Sequence, residues 1–350
     1  MNYQRTKNAL LGLAAGDALS WQALYHKSYN FPFWTRRLRR EIDVESESVG
    51  IIKPNLPFSL NIPTEPFKIS PTDDSEWAAF TSLVLIHNKG VYDFDSHIKV
   101  WKELAEDKSQ IKGSVAVVAA LNNFKKNLMP PATGNDNPHY FDDSSMVRAI
   151  PTGALYAGNI SKAVECAGFE ASITNSLDGI WAAQSIAAAV STACVEKEIE
   201  KIISAALQPI PANSWLYLEV NEALKISKKY KTVFRALPVL HDEIIDHTYN
   251  YGSSAPDNLA LTLALFVLSR GDISVGITAA ASLAKTADSV PAFVGALCGA
   301  MNNESFEEEW TKSFSRLNGI CIPSLKGKNF NTIAEQLNQI AETILTNKKI

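Results

Sequence analysis

Residues 3–19 place Leu10, Leu11, Leu13 and Ala14 beside Gly12, Ala15 and Gly16, so the apolar face of this segment carries little bulk. A helix with such a face is predicted to lie close against other helices, backbone near backbone. The same run contains Asp17. An acid in an apolar helix more often caps neighbouring backbone or orients another group than reacts itself. A second small-residue helix, residues 290–301, carries Gly295 and Gly299.

Helical spacing recurs along the chain. Trp77, Phe80, Val84 and His87 fall at three- and four-residue steps within 75–88, and Ser96 reads as the N-cap of a helix bearing Val100, Trp101 and Leu104. Segments 161–173, 177–195, 196–207, 214–228, 257–269 and 274–284 read as further helices. A last one opens at Asn331 with Ile333, Leu337, Ile340 and Ile344 on one face. Strand signals are thin: the best stretch, 49–71, is broken by Pro54, Pro57, Pro63, Pro66 and Pro71 and reads as a long ordered loop. Residues 129–143, with Pro130, Pro131, Gly134 and Pro138, form a second such loop, and loops of this length are usually functional. The expected fold is all-α, one compact multi-helix domain over residues 1–350 with long ordered loops.

A composition 46% hydrophobic and 20% charged excludes a disordered scaffold, and a net charge of −4 leaves no general basic field for nucleic acid. The longest apolar runs, 179–195 and 258–269, are interrupted or short of the ~20 clean residues of a membrane span. Cys166, Cys194, Cys298 and Cys321 stand apart without a CxxC pair, which suggests neither zinc nor disulfides. With no cleavable signal read at residues 1–7, a cytoplasmic monomer is expected.

Several acid-and-hydroxyl clusters stand at helix entrances. Thr72-Asp73-Asp74-Ser75 follows Pro71 and offers hard oxygen ligands suited to magnesium or calcium; its simpler reading is an N-cap with acids at the helix dipole. Thr286-Ala287-Asp288-Ser289 precedes the small-residue helix and admits the same two readings. Asp142-Asp143-Ser144-Ser145-Met146-Val147-Arg148 could hold a sugar or phosphate with Arg148 as charged anchor, or be a capped helix with a surface arginine. Spacing alone does not show that these clusters converge.

In their order, these segments resemble the ADP-ribosylglycohydrolase family, which includes the dinitrogenase-reductase-activating glycohydrolase. Residues 12–19 are similar to an opening GxxxGDALG, with Ser20 at the final glycine. Thr72–Ser75 matches TDD[TS], and 144–153 resembles S-x-M-R-x-x-P-x-G. Tyr251-Gly252, ahead of Ala255–Leu259, resembles an aromatic–glycine loop, and 286–299 resembles D-x-D-[TS] before a Gly/Ala-rich helix. The resemblance is strongest over 12–301. It implies a magnesium-dependent hydrolase of the glycosidic bond between ADP-ribose and a modified protein, nucleic acid or small molecule. Thr72, Asp73, Asp74, Asp288 and Ser289 would hold metal, and Asp73 or Asp74 would also position or deprotonate water. Asp143, Ser144, Ser145, Arg148, Tyr251 and Gly252 would line the substrate side. The alternatives are a catalytically weak relative that binds ADP-ribose or a protein, or a different ribosyl N-glycosidase.

This chain also departs from the pattern. Thr286 stands where the second motif has its first acid, Lys285 precedes it, and residues 174–178 lack both histidines of the family's THxHP segment. Trp21, Gln22, Tyr25 and His26 follow Asp17, where a glutamate is usual. Three carboxylates (Asp73, Asp74 and Asp288) rather than four imply one tight magnesium and a second that is weak or completed by substrate, with Lys285 adding repulsion. Outside the resemblance, the run Arg36-Arg37-Leu38-Arg39-Arg40 is offset by Glu41, Asp43, Glu45 and Glu47 and reads as a solvated helix. His241 and His247 lie six apart, which does not align two ligands on one helical face, so 241–247 reads as a solvated acidic helix.

Overall fold

The computed structural model describes residues 4–24, 69–248, 251–283 and 285–347. The basic run at Arg36–Arg40, the Pro-rich stretch up to residue 68, and Tyr25 and His26 lie outside the described residues.

The described residues form sixteen α-helices and no strand, with two isolated bridges, Asp142–Ser254 and Arg316–Asn329. The first half contains α1 (Gln4–Leu24), α2 (Asp73–His87), α3 (Phe94–Glu106), α4 (Val115–Lys125), α5 (Ala132–Asn135), α6 (Ser144–Leu155), α7 (Ile160–Ala171) and α8 (Asp178–Ala193). The second contains α9 (Ile199–Leu207), α10 (Trp215–Lys229), α11 (Val233–Glu243), α12 (Ala255–Ser269), α13 (Ile273–Ala281), α14 (Val290–Met301), α15 (Glu308–Ser315) and α16 (Phe330–Asn347). Among the described residues the expected helices form, except that the helix expected at 241–247 ends at Glu243. The helices at 115–125, 132–135 and 308–315, and most of that at 233–243, lie outside the expected segments.

Caps account for several boundaries. Asp93, not Ser96, caps α3: its carboxylate accepts from the Ser96 amide at 3.3 Å and the Ser96 hydroxyl at 2.5 Å. Ser114, Ser214 and Asp272 cap α4, α10 and α13 by accepting from the amides of Val117, Tyr217 and Val275. Helices α8, α12 and α14 are buried on nearly all sides, as expected for helices apolar all round. None of the described helices is long and apolar enough to cross a membrane.

The tightest packing joins α1 and α14, which run antiparallel in four-residue steps. A Cβ on Gly12 would sit 2.0 Å from the Gly295 carbonyl oxygen, and one on Gly295 would sit 2.1 Å from that of Gly12. Gly16 meets Pro291 and Gly299 meets Asn8 equally closely, so the helix backbones are in contact along three turns. Every residue from Val290 to Ala300 is buried. Around this pair α1 also meets α2, α6 and α16, while α6 packs on α8 and α10 on α12.

Gly295→Ala is therefore expected to force the two helices apart, at a cost of at least about 1–3 kcal/mol in unfolding free energy. A denaturant midpoint unchanged from wild type would show that the contact is not a stabilising one.

Candidate active site and metal centre

The end of α1 holds the entrance of α2. Asp17 is fully buried, and its Oδ2 accepts from the Thr72 amide at 2.8 Å, the Ser75 amide at 3.0 Å and the Ser75 hydroxyl at 2.5 Å. Its Oδ1 accepts from the Thr72 hydroxyl. Thr72 stands at the N-cap position of α2 yet makes no side-chain cap of its own. Asp17 supplies that cap from another helix, so the carboxylates of Asp73 and Asp74 are not required for it. The capping reading of Thr72 is thus replaced by one in which Thr72 is itself held.

Three segments place acids around this entrance. Asp74 is buried, and its carboxyl is raised well above the usual carboxylate range, first by burial and then by the charges of Asp73, Asp17, Asp288 and Asp143. Its Oδ2 is buried without a hydrogen-bond partner. Asp73, partly exposed, is also shifted upward, chiefly by desolvation. Asp143, from the loop before α6, is pushed up to about 7 by burial and by Asp142, against hydrogen bonds from Asn258 and Ser289. The Asn258 amide donates to Asp143 Oδ2 at 2.5 Å. Ser289 therefore ties the start of α14 to Asp143, and the Ser20 hydroxyl reaches the Asp288 carbonyl at 3.4 Å. Asp17 itself is pushed up to about 7, by burial and then by Asp73.

Hard oxygens from Thr72, Asp73, Asp74, Asp288 and Ser289, with a buried carboxylate oxygen that accepts nothing from the protein, fit a divalent cation such as magnesium. The fit is a loose one. Among the described residues, the trio of ligand atoms lying within 4.8 Å of one another is His241, Asp242 and His247, not a trio of these acids. Thr286, which replaces the fourth acid, is buried and donates its hydroxyl to the Leu283 carbonyl at 3.3 Å. Lys285 is directed elsewhere: its ammonium donates to the Asp246 carbonyl, and its charge partly offsets the burial that raises the Asp257 carboxyl. The expected repulsion by Lys285 has no such contact with the acids.

The substrate-side residues divide into two sets. Asp142, fully buried, is the hub of the first: Oδ1 accepts from the Ser144 amide and hydroxyl and from Asn175, and Oδ2 from the Ala116 amide and the Tyr251 hydroxyl. The Gly252 carbonyl accepts from Asn258 at 3.1 Å, which places the Tyr251–Gly252 turn beside Asp143. Tyr251 also meets His139 edge to face at 4.3 Å, and His139 stacks toward Phe141.

Ser145 and Arg148 form the second set and face inward. The Ser145 hydroxyl donates to the Gly179 carbonyl at 2.9 Å. Arg148 is not a surface anchor. Its side chain is 0% exposed and pairs with Glu170 at 2.8 Å, with further bonds to the Ser144 carbonyl and the Thr174 hydroxyl. Its guanidinium lies 5.2 Å from the ring centre of Trp101 and 5.9 Å from that of Trp77. Placing Arg148 against a phosphate is corrected accordingly: it fixes α6 to α7 behind the site. Sequence reasoning named Asp142 only as part of the 142–148 cluster and missed Asn175 and Glu76. Glu76 accepts from the amides of Ile320, Cys321 and Ile322 and thereby seats the loop before the C-terminal helix next to α2.

The scaffold is all-helical among the described residues and brings acids and hydroxyls from three helix entrances toward one another. The sequence profile of the ADP-ribosylglycohydrolase family matches residues 2–347, and the chain belongs to that family of glycosidic hydrolases, which act on ADP-ribosylated substrates. Among 42 matching chains of solved structures is one titled "ADP-ribosylglycohydrolase-related protein complex", 19% identical, covering 97% of this chain and 99% of its own, with a TM-score of 0.60. That likeness concerns the fold. No curated protein matches the chain.

Two outcomes follow from the geometry. Arg148→Ala leaves Glu170 buried and unpaired and should cost about 3–5 kcal/mol of stability, with ligand affinity in the folded fraction little changed. A large loss of affinity without loss of stability would return Arg148 to the substrate. The second outcome concerns pH. Unfolded aspartates release protons near 3.8, whereas Asp17 and Asp143 hold theirs to about 7 and Asp74 is likewise raised well above its unfolded range. Between those values the folded state binds more protons, so unfolding free energy falls as pH rises. Depressed surface acids such as Glu196, lowered to about 2, titrate below this window. The melting temperature of metal-free protein should fall from about pH 5 to about pH 7.5, and excess divalent cation should flatten the slope by displacing protons. Calorimetry showing a flat or rising profile without cation would contradict this.

Proposed function

We propose that this protein is a magnesium-dependent hydrolase that cleaves the glycosidic bond joining ADP-ribose to a modified protein, nucleic-acid end or small molecule. The observation that carries the reading is Asp74, whose buried Oδ2 has no protein partner and whose charge is opposed by four neighbouring acids. Thr72, Asp73, Asp74, Asp288 and Ser289 would hold magnesium, one ion tightly and a second weakly or with substrate. When bound, the metal supplies electrophilic charge at the ribose hydroxyls and scissile bond.

The protein's own groups do the rest. Asp17 fixes the backbone of Thr72 and Ser75, so the two acids between them enter the site at a set angle. Asp73 or Asp74 orients a water and takes its proton; a carboxyl held above its usual range is a better proton acceptor once ionised. Asp143, Ser144, Tyr251 and the Gly252 turn bind the ribose and phosphate side, while Ser145 and Arg148 hold that wall from behind. We take the enzyme to act as a cytoplasmic monomer.

The test is incubation of pure protein with ADP-ribosyl-arginine, ADP-ribosyl-serine and O-acetyl-ADP-ribose, with and without magnesium. At least one should be hydrolysed only with magnesium, and Asp74→Asn should lower kcat by about 10²–10⁴-fold. Thr286→Asp should tighten the weaker metal site. The Thr286 hydroxyl, turned to a backbone carbonyl, favours a second reading: a relative that binds ADP-ribose with little turnover. Tight ADP-ribose binding with no hydrolysis of any substrate would select it.

A further inference from the structure

The structure overturns the reading of residues 241–247 as a plain solvated helix. Helix α11 ends at Glu243, and the following turn folds His247 back over His241, with ring centres 4.7 Å apart. His241 Nδ1 lies 2.9 Å from Asp242 Oδ1, and the ligand atoms of His241, Asp242 and His247 all fall within 4.8 Å of one another. This pair is hydrogen-bonded as it stands; two ligand atoms each ~2.0–2.1 Å from one tetrahedral ion are about 3.3–3.4 Å apart, so a small opening of the pair admits an ion in place of the shared proton. His247 Nε2 lies 2.8 Å from the His241 carbonyl. A proton on that nitrogen leaves the Nδ1 lone pair outward, the orientation in which metal-binding histidines are commonly held by a backbone carbonyl.

We propose that His241, Asp242 and His247 form a second metal site, separate from the acid cluster, for a borderline divalent cation of the zinc, cobalt or nickel kind. Two imidazoles and one carboxylate select such ions over magnesium, which prefers an all-oxygen set. Both imidazoles are at least partly exposed, so the site is open to an ion from solution and retains a position for water. Its consequence is local. The turn it closes carries Asp246, whose amide donates to Asp257 at 3.2 Å and whose carbonyl accepts from Lys285. Lys285 directly precedes the second acid motif. An ion at His241 and His247 would therefore stiffen the turn that holds the base of that motif.

The experiment uses tag-free, metal-stripped full-length protein titrated with cobalt(II) in millimolar magnesium, followed by visible absorption and by calorimetry with zinc. Wild type should take up one equivalent with a cobalt absorption band typical of imidazole ligation, and its melting temperature should rise. His241→Ala/His247→Ala should lose the band and weaken binding by at least ~10-fold, whereas Asp74→Asn should keep both. The two histidines lie on the surface, and an unchanged far-UV spectrum would confirm that the double variant folds. Absence of uptake by wild type would overturn the proposal, as would equal uptake by the double variant. Loss of the band in Asp74→Asn alone would also overturn it, by assigning the ion to the acid cluster. Because that cluster is tested separately by magnesium-dependent hydrolysis, failure here leaves the hydrolase reading untouched.

Discussion

Backbone contact between α1 and α14 is the constraint on which the site depends. Gly12 against Gly295 and Gly16 against Pro291 bring the helix axes closer than side chains would allow. The C-terminal part of α1 then lies beside the entrance of α14, which is why the Ser20 hydroxyl can reach the Asp288 carbonyl. Asp17, one turn earlier, faces the entrance of α2. Two acid motifs separated by more than two hundred residues thus meet because one helix is clamped against the second motif's helix and caps the first motif's. Widening the α1–α14 contact would separate them without altering a single acid.

The site concentrates two opposing electrostatic effects. Helix entrances favour negative charge, each by about 0.3–1 kcal/mol at exposed positions. Burial and mutual repulsion work against it. Asp17 shows which is larger: it accepts hydrogen bonds from two amides and two hydroxyls, each of which favours the carboxylate, and its carboxyl is still pushed up to about 7. Desolvation outweighs the hydrogen bonds. A cluster in that condition gains from a cation more than an exposed set of the same acids would, because the ion replaces both the missing solvation and the protons.

Local patterns made much of this legible. Helix positions, the small-residue faces of α1 and α14, and the acids at the entrances of α2 and α14 all follow from spacing within one segment. What escaped was every feature decided by a distant partner. Thr72 has the residue type of a cap, but Asp17 takes the role from 55 positions away. Arg148 reads as an anion anchor from its neighbours, yet Glu170 and two tryptophans, Trp77 and Trp101, enclose it. Lys285 reads as a repulsive neighbour of the metal motif, while its side chain follows Asp246. Helical spacing keeps His241 and His247 on different faces, and the helix ends between them.

Hydrogen-bond satisfaction sorts these buried polar groups better than residue type does. Asp17, Glu76 and Asp142 are buried carboxyl side chains like Asp74, but their oxygens accept from amides and hydroxyls that define a helix entrance or a loop. Arg148 is satisfied in the same way. Such groups cost desolvation that their partners offset, and their role is to fix geometry. Asp74 Oδ2 is buried without a donor from the protein, as is Glu170 Oε2, but Glu170 faces the charge of Arg148 whereas Asp74 is surrounded by like charge. A fold that satisfies Glu76 with three consecutive amides two residues away has the means to satisfy Asp74 as well. The proposed metal role of Asp74 rests on that contrast between two acids in the same turn of α2: Glu76 is held by three amides, whereas Asp74 keeps one oxygen bare among four like charges.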